Sequence, residues 1–165
     1  MIGIVKFKSK EYYAVDLGGP HLATLPILAF EGATLRNRPN LQTNSVVYAR
    51  VSVANKDMEP EIDCIHPSTG KADGFGELKQ GFMIDRCSLD LCRYLLTKNN
   101  ALLNGLSSMF PFELAIGMNG RVWVNAGEPK QIVAIVNLIR AADGQQASKI
   151  PVLLKATRKF YKESE

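Results

Sequence analysis

Asp57, Glu59, Glu61 and Asp63 alternate along one short stretch of the chain. On a single extended strand that spacing would align all their carboxylates on one face, enough oxygen ligands to hold Mg²⁺ for phosphodiester hydrolysis. Two neighbours oppose that reading. Asn55-Lys56-Asp57 has the composition of a hairpin turn, which takes Asp57 out of the row, and Pro60 marks a solvent-facing edge. Like charges spaced along an edge also defend a sheet against pairing with other chains. The nuclease alternative would rest on Glu59, Glu61 and Asp63.

The three cysteines, Cys64, Cys87 and Cys92, cannot all pair, and no C-x-x-C or Cys/His cluster has the spacing of a zinc site. Cys92, beside Leu91 and Leu95, reads as a core thiol, and the only histidines, His21 and His66, are distant in sequence from it. Reduced thiols fit a cytosolic or nuclear compartment. No Ser/His/Asp set, phosphate loop or dinucleotide fingerprint is present, so the residues imply no enzyme chemistry, cofactor, metal or small-molecule substrate.

Basic residues offer a different chemistry. Lys6, Lys8 and Lys10 alternate near the start of the chain, followed by Arg36, Arg38, Arg50 and Lys56. Period-two spacing on a strand would put the lysines on one face, a stripe suited to a polyanion, since each phosphate neutralised releases condensed counterions. The same spacing also fits a solvated edge protected by lysines. Tyr12 and Tyr13 lie nearby, as a base-stacking surface or as one core and one exposed residue.

Composition bounds the elements that must position these groups. A chain of 165 residues, 46% hydrophobic and 22% charged with a net charge of +4, reads as a folded protein of one ordinary domain or two small ones. No apolar run approaches the roughly 20 residues that span a bilayer, and Met1-Ile2-Gly3-Ile4-Val5-Lys6 lacks the layout of a signal peptide. The expectation is a soluble, non-secreted protein without a membrane partner.

The first stretch reads as successive strands over 2–7, 12–17, 22–25, 45–53 and 58–65, the pattern of a five-stranded OB barrel that binds single-stranded nucleic acid on one face. Residues 67–81, rich in Gly, Pro, Ser and Asp, are expected to link the modules. The second module reads as a strand over 82–84, a helix over 89–96 capped by Ser88, and a helix capped by Asn99 carrying Leu102, Leu103, Leu106 and Met109. A hairpin follows, then a helix from Pro129 to Ala142 ended by Gly144. That order, βααββα, is of the KH type. A last amphipathic helix over 148–161 sets Lys155, Arg158, Lys159 and Lys162 opposite Val152, Leu153, Ala156 and Phe160. The fold class is therefore α+β in two modules: 1–66 an OB barrel, 67–81 the linker, and 82–165 a KH-type domain with a C-terminal helix.

The hairpin is Phe112 to Val124 around Gly117-Met118-Asn119-Gly120. Apolar residues alternate on both sides of Asn119-Gly120, a pair that tolerates positive φ, so the turn reads as structural. In an ordinary KH domain the phosphate-gripping loop joins the first two helices, which here is Thr97-Lys98-Asn99-Asn100 with no glycine. The KH module is thus expected to have lost its usual RNA grip.

The octad Gly117-Met118-Asn119-Gly120-Arg121-Val122-Trp123-Val124 closely resembles the G-x-N-G signature of the cap subunits of the eukaryotic RNA exosome. Phe30-Glu31-Gly32-Ala33-Thr34, Arg36-Asn37-Arg38-Pro39-Asn40, Val53-Ala54-Asn55-Lys56-Asp57-Met58-Glu59-Pro60-Glu61-Ile62 and Gly74-Phe75-Gly76 are similar to one branch, the ribosomal-RNA-processing protein forty (exosome component three) family. The resemblance implies an OB barrel of the S-one class, in which Ala14 occupies the usual stacking position. It implies a non-catalytic subunit in the nucleus, nucleolus and cytoplasm that holds together a ring of RNase PH-like subunits, contacts other exosome subunits, and guides single-stranded RNA from its three-prime end towards a separate exoribonuclease. RNA contacts then fall to Lys6, Lys8, Lys10, Tyr12, Arg36, Arg38, Arg50 and Lys56, and packing of the two domains to Gly117, Asn119, Gly120 and Trp123. Family members carry a further N-terminal β-domain that grips the ring, so this chain is expected to be truncated or an incomplete gene model. A free-standing translation or ribosome-associated RNA binder is the other alternative.

Overall fold

The computed structural model describes residues 1–163, with the side chains of residues 1–161. Lys162, expected on the basic side of the last helix, lies outside those described side chains. The chain forms two compact units, Met1–Lys79 and Gln80–Glu165.

The first unit contains β1 (Ile2–Lys8), β2 (Tyr12–Asp16), β3 (Ala23–Pro26), β4 (Val46–Tyr48), β5 (Arg50–Val53), β6 (Glu61–Asp63) and β7 (Gly76–Leu78). They form one sheet in the order β5-β6-β3-β2-β1-β4-β7. Only Ala49 separates β4 from β5, so the expected strand over 45–53 is one run bent at a buried residue. Its first half pairs with β1 and its second with β6, which curls the sheet back on itself. Counted as one strand, β4/β5 completes the five expected OB strands, with β3 and β6 paired in parallel through Thr24 and Glu61. β6 is shorter than the expected 58–65 because Pro60 has no N–H to give the ladder; its carbonyl instead accepts from the Thr24 N–H at 2.9 Å.

The stretch expected as linker supplies β7. It pairs with β4, and Phe75 just before it packs on Tyr48 with ring centroids 5.2 Å apart. Inward-facing Val5, Tyr13, Val15, Leu25, Val47 and Ile62 fill the core of this unit, alternating with outward residues as period two requires.

The second unit contains β8 (Phe82–Ile84), α1 (Leu89–Leu96), α2 (Ala101–Ser107), β9 (Phe112–Gly117), β10 (Arg121–Ala126), α3 (Pro129–Ala142) and α4 (Ile150–Glu163), the last entered through a short 3₁₀ turn, Ala147–Lys149. The first six follow the order βααββα, and the sheet is β8-β10-β9, antiparallel throughout. Ser88 caps α1 as expected, its Oγ accepting from the Leu91 N–H at 3.1 Å. α2 corrects the expectation by one residue. Asn100, not Asn99, is the cap, because Asn99 sits in the left-handed region at φ 58° and turns the chain so that Asn100 Oδ1 accepts from Leu102 and Leu103. α3 begins at Pro129, and α4 packs on α2 and α3 with Leu154 seated on Gly105.

Candidate nucleic-acid interface

The interface is built on the β1–β2 ribbon. Val5 lies opposite Val15, but Phe7 lies opposite Ala14, so two residues of β1 answer one of β2 and Lys6 falls in a bulge. β1 ends at Lys8; the Ser9 N–H donates to the Tyr12 carbonyl at 2.8 Å and closes a turn that carries Lys10. The expected stripe of Lys6, Lys8 and Lys10 on one strand face is therefore corrected. The bulge breaks the period after Val5, and the turn takes Lys10 off the strand.

A different grouping replaces it. Past the bulge Lys8 shares its side of the ribbon with Tyr13, its Nζ 5.9 Å from the centre of the ring. The same Nζ donates to Asn40 Oδ1 at 2.5 Å. Arg38 donates through Nε to the Leu35 carbonyl at 3.0 Å and through Nη1 to the Lys10 carbonyl at 3.1 Å. Lys8, Lys10 and Arg38 thus line one open cleft of about 710 Å³, with Tyr13, Pro39 and Asn40. The fully buried Tyr13 fixes its floor: the hydroxyl donates to the Pro39 carbonyl and accepts from the Leu41 N–H, tying the long connection between β3 and β4 to the barrel. Fixed backbone and three side-chain cations at an open mouth are what a chain of phosphates requires.

The remaining predicted residues divide. Arg36 is exposed on the same connection as Arg38, and Lys56 is exposed in the turn between β5 and β6. In OB barrels the loop between the first two strands and the loop between the last two flank the oligonucleotide face; here those loops carry Lys10 and Lys56. Tyr12 is 39% exposed on the outer face, beside Ala14, while Tyr13 is core. Arg50 is held elsewhere: Nη2 pairs with Asp63 Oδ2 at 2.6 Å and Nε donates to the Ile65 carbonyl at 3.1 Å. Asn40 and Pro39 were not among the predicted site residues. Their signal was their place in the Arg-Asn-Arg-Pro-Asn run, where a short amide and a rigid ring order the cations around them.

The carboxylate row is dispersed. Asp57 is in a turn, its N–H bonded to Asn55 Oδ1 at 3.2 Å, and Asp63 is paired to Arg50. Among the described residues no group of three or more His, Cys, Asp or Glu side chains could hold a metal ion. Burial pushes the Cys64 thiol up to about 12, with Asp63 adding to it, and the Cys87 thiol up to about 11, with Cys92 and Asp143 adding. Both stay protonated at neutral pH and are poor nucleophiles.

In the second unit Thr97, Lys98 and Asn99 of the loop are exposed and Asn100 alone turns inward. Asn100 is 4% exposed, and its amide donates to the Tyr94 carbonyl at 2.6 Å while its oxygen caps α2. The G-x-N-G bend joins two strands. Gly117 pairs with Arg121, leaving a loop of Met118, Asn119 and Gly120 in which Gly120 alone has positive φ, at 76°. The hairpin turn expected around Asn119-Gly120 is thus a three-residue loop with glycine at its last position. A Cβ on Gly120 would stand 2.7 Å from the Cys87 carbonyl oxygen. Trp123 is 5% exposed, and its Nε1 donates to the Gln80 carbonyl at 3.0 Å.

Residues 1–76 match the family model described as the exosome complex component RRP40 S1 domain, and residues 81–130 match a KH domain model. The exosome complex component rrp40 of Schizosaccharomyces pombe is 51% identical over 140 residues, covering 85% of this chain and 58% of that protein. The chain is thus similar to exosome RRP40 components over most of its own length. RRP40 of Homo sapiens is 42% identical over 143 residues, 87% of this chain and 52% of its own, so the chain spans somewhat more than half the length of these RRP40 relatives. A solved structure assigned as an exosome complex RNA-binding protein shares the fold, with a TM-score of 0.81 at 16% identity over 99% of this chain and 94% of its own. The Arg-Asn-Arg-Pro-Asn loop and its cleft therefore lie inside the RRP40 S1 match, and the hairpin inside the KH match.

Proposed function

We propose that this chain is a non-catalytic RNA-binding cap subunit of the RNA exosome, which stabilises a ring of RNase PH-like subunits and guides single-stranded RNA into it for three-prime-end processing and decay, including ribosomal RNA maturation. The observation that carries the RNA-binding role is the convergence of Lys8, Lys10 and Arg38 on one open cleft of the OB unit. Similarity to exosome RRP40 components supports the assembly role, with other exosome subunits as partners. The dispersed carboxylates and the high thiol pKa values support a subunit that carries RNA rather than cutting it. On this reading the protein works in the nucleus, nucleolus and cytoplasm.

The test is a salt titration of single-stranded RNA binding by the wild type and by the Lys8→Ala/Lys10→Ala/Arg38→Ala variant. Loss of affinity together with a shallower salt slope supports the reading; unchanged affinity and slope would sink it. Co-purification from a cell extract checks the assembly role. Ring subunits should co-elute, and migration with ribosomes instead would overturn that half.

A further inference from the structure

The β1–β2 ribbon has a second side, and the bulge decides what faces it. Strict alternation after the buried Val5 would send Phe7 into the core with it. The slip in register between Val5 and Phe7 re-aims the ring, leaving Phe7 59% exposed and directly across from Ala14. Tyr12, 39% exposed, stands two residues from Ala14 on the same side, at the diagonal spacing from Phe7 that large side chains can bridge. Ala14, opposite Phe7 and two residues from Tyr12, adds only a methyl group beside the two exposed rings. The same ribbon carries exposed cations, Lys6 in the bulge and Lys10 at the tip, and Lys56 is exposed in the loop between β5 and β6.

We propose that Phe7 and Tyr12 form a base-stacking clamp beside Ala14, so that Phe7 of β1 supplies the ring that Ala14 does not, next to Tyr12 of β2. Planar aromatic rings beside lysines match an unpaired nucleobase with its phosphates, since stacking accepts any base while the cations hold the backbone. Duplex RNA does not fit, because its bases are already stacked and their faces are hidden. The strand passes over the tip at Lys10, with bases on the Phe7 side and phosphates continuing to the cleft of Lys8 and Arg38. The clamp rests on the RNA-binding reading above and names the positioning residues it needs.

The experiment uses the whole chain and a fluorescein-labelled oligouridine, read by anisotropy at several salt concentrations, with a second oligonucleotide carrying 2-aminopurine. Phe7→Ala should weaken binding about 5- to 100-fold, leave the salt slope unchanged, and abolish the quenching of 2-aminopurine that stacking produces. Phe7→Trp should restore both, which a merely structural role for Phe7 would not require. Because Phe7 is exposed, circular dichroism and the unfolding midpoint should match the wild type. The clamp is overturned if Phe7→Ala binds within about twofold of the wild type while the Lys8/Lys10/Arg38 variant is weakened; RNA binding then stands and stacking does not. If the wild type itself binds neither oligonucleotide, both readings fall.

Discussion

Two loops set the units apart. In the OB unit the long connection from Ile27 to Ser45 holds its backbone with buried anchors, the Tyr13 hydroxyl above all, and turns its charged side chains outward around an open cleft. In the KH unit the loop at the equivalent place for binding, Thr97–Asn100, spends its one well-placed polar group on its own backbone. A loop offers chemistry to a ligand only when something else satisfies its peptide groups. Tyr13 does this in the first unit; Asn100 can do it in the second only by turning inward.

The comparison can be broken at its foundations first. A Cβ on Gly81 would meet the Val124 carbonyl oxygen at 2.4 Å and the Trp123 ring at 2.9 Å, at a φ of 70°. Gly81→Ala should therefore destabilise the KH unit by about 3 kcal/mol or more, seen as a shifted urea transition, while RNA affinity of the folded protein holds. Equal loss in the transition of the OB unit would show that the two units do not melt as separate bodies.

The charged cleft comes next. Removing Lys8, Lys10 and Arg38 together should lower affinity for single-stranded RNA by about 30-fold at moderate salt and reduce the salt slope by roughly 2. Arg50→Ala should leave that slope alone and lower stability instead, because it strands Asp63 in a partly buried site where Oδ1 already has no partner. Asn100→Ala should cost about 2 kcal/mol of KH-unit stability, through the lost cap and the lost bond to the Tyr94 carbonyl, which keeps only the Thr97 N–H, with no change in RNA binding.

The buried thiols sharpen the contrast by pH. Cys64 lies at about 12 when folded against an ordinary 9.0, so its contribution is fully present below about pH 9 and is lost as the pH climbs from there towards 12. Between pH 9 and 10 the OB unit should lose on the order of 1 kcal/mol that Cys64→Ala does not lose. Identical pH profiles for the two proteins would show that the thiol does not differ between the folded and unfolded states. The smallest expected effect is Lys98→Ala, the only cation of the Thr97–Asn100 loop, which should change RNA affinity by less than about twofold. A larger drop would restore an RNA grip to the KH unit.

Much of the architecture was legible because its signals are local. Ser88 before Leu89, Pro129 opening a helix and the alternation around Gly117–Gly120 each report on backbone chemistry within a few residues, and the elements stand where that chemistry put them. The misread points depend on partners far along the chain. Asn99 and Asn100 are equally good caps by composition, and Gly74-Phe75-Gly76 reads as linker until Tyr48 is beside it.

The sequence by itself determined the order of most strands and helices, the likeness to RRP40 proteins, and the residue types available to bind RNA, since each of these is written in short-range periodicity and motif. Only the tertiary structure decided which cations meet. One bulge between Val5 and Phe7 and one turn at Lys10 scattered the expected lysine row and brought Lys8 and Lys10 to Arg38, about thirty positions away. Register between strands is a property of the paired sheet, set by which side chains the core accepts, and no single strand carries it.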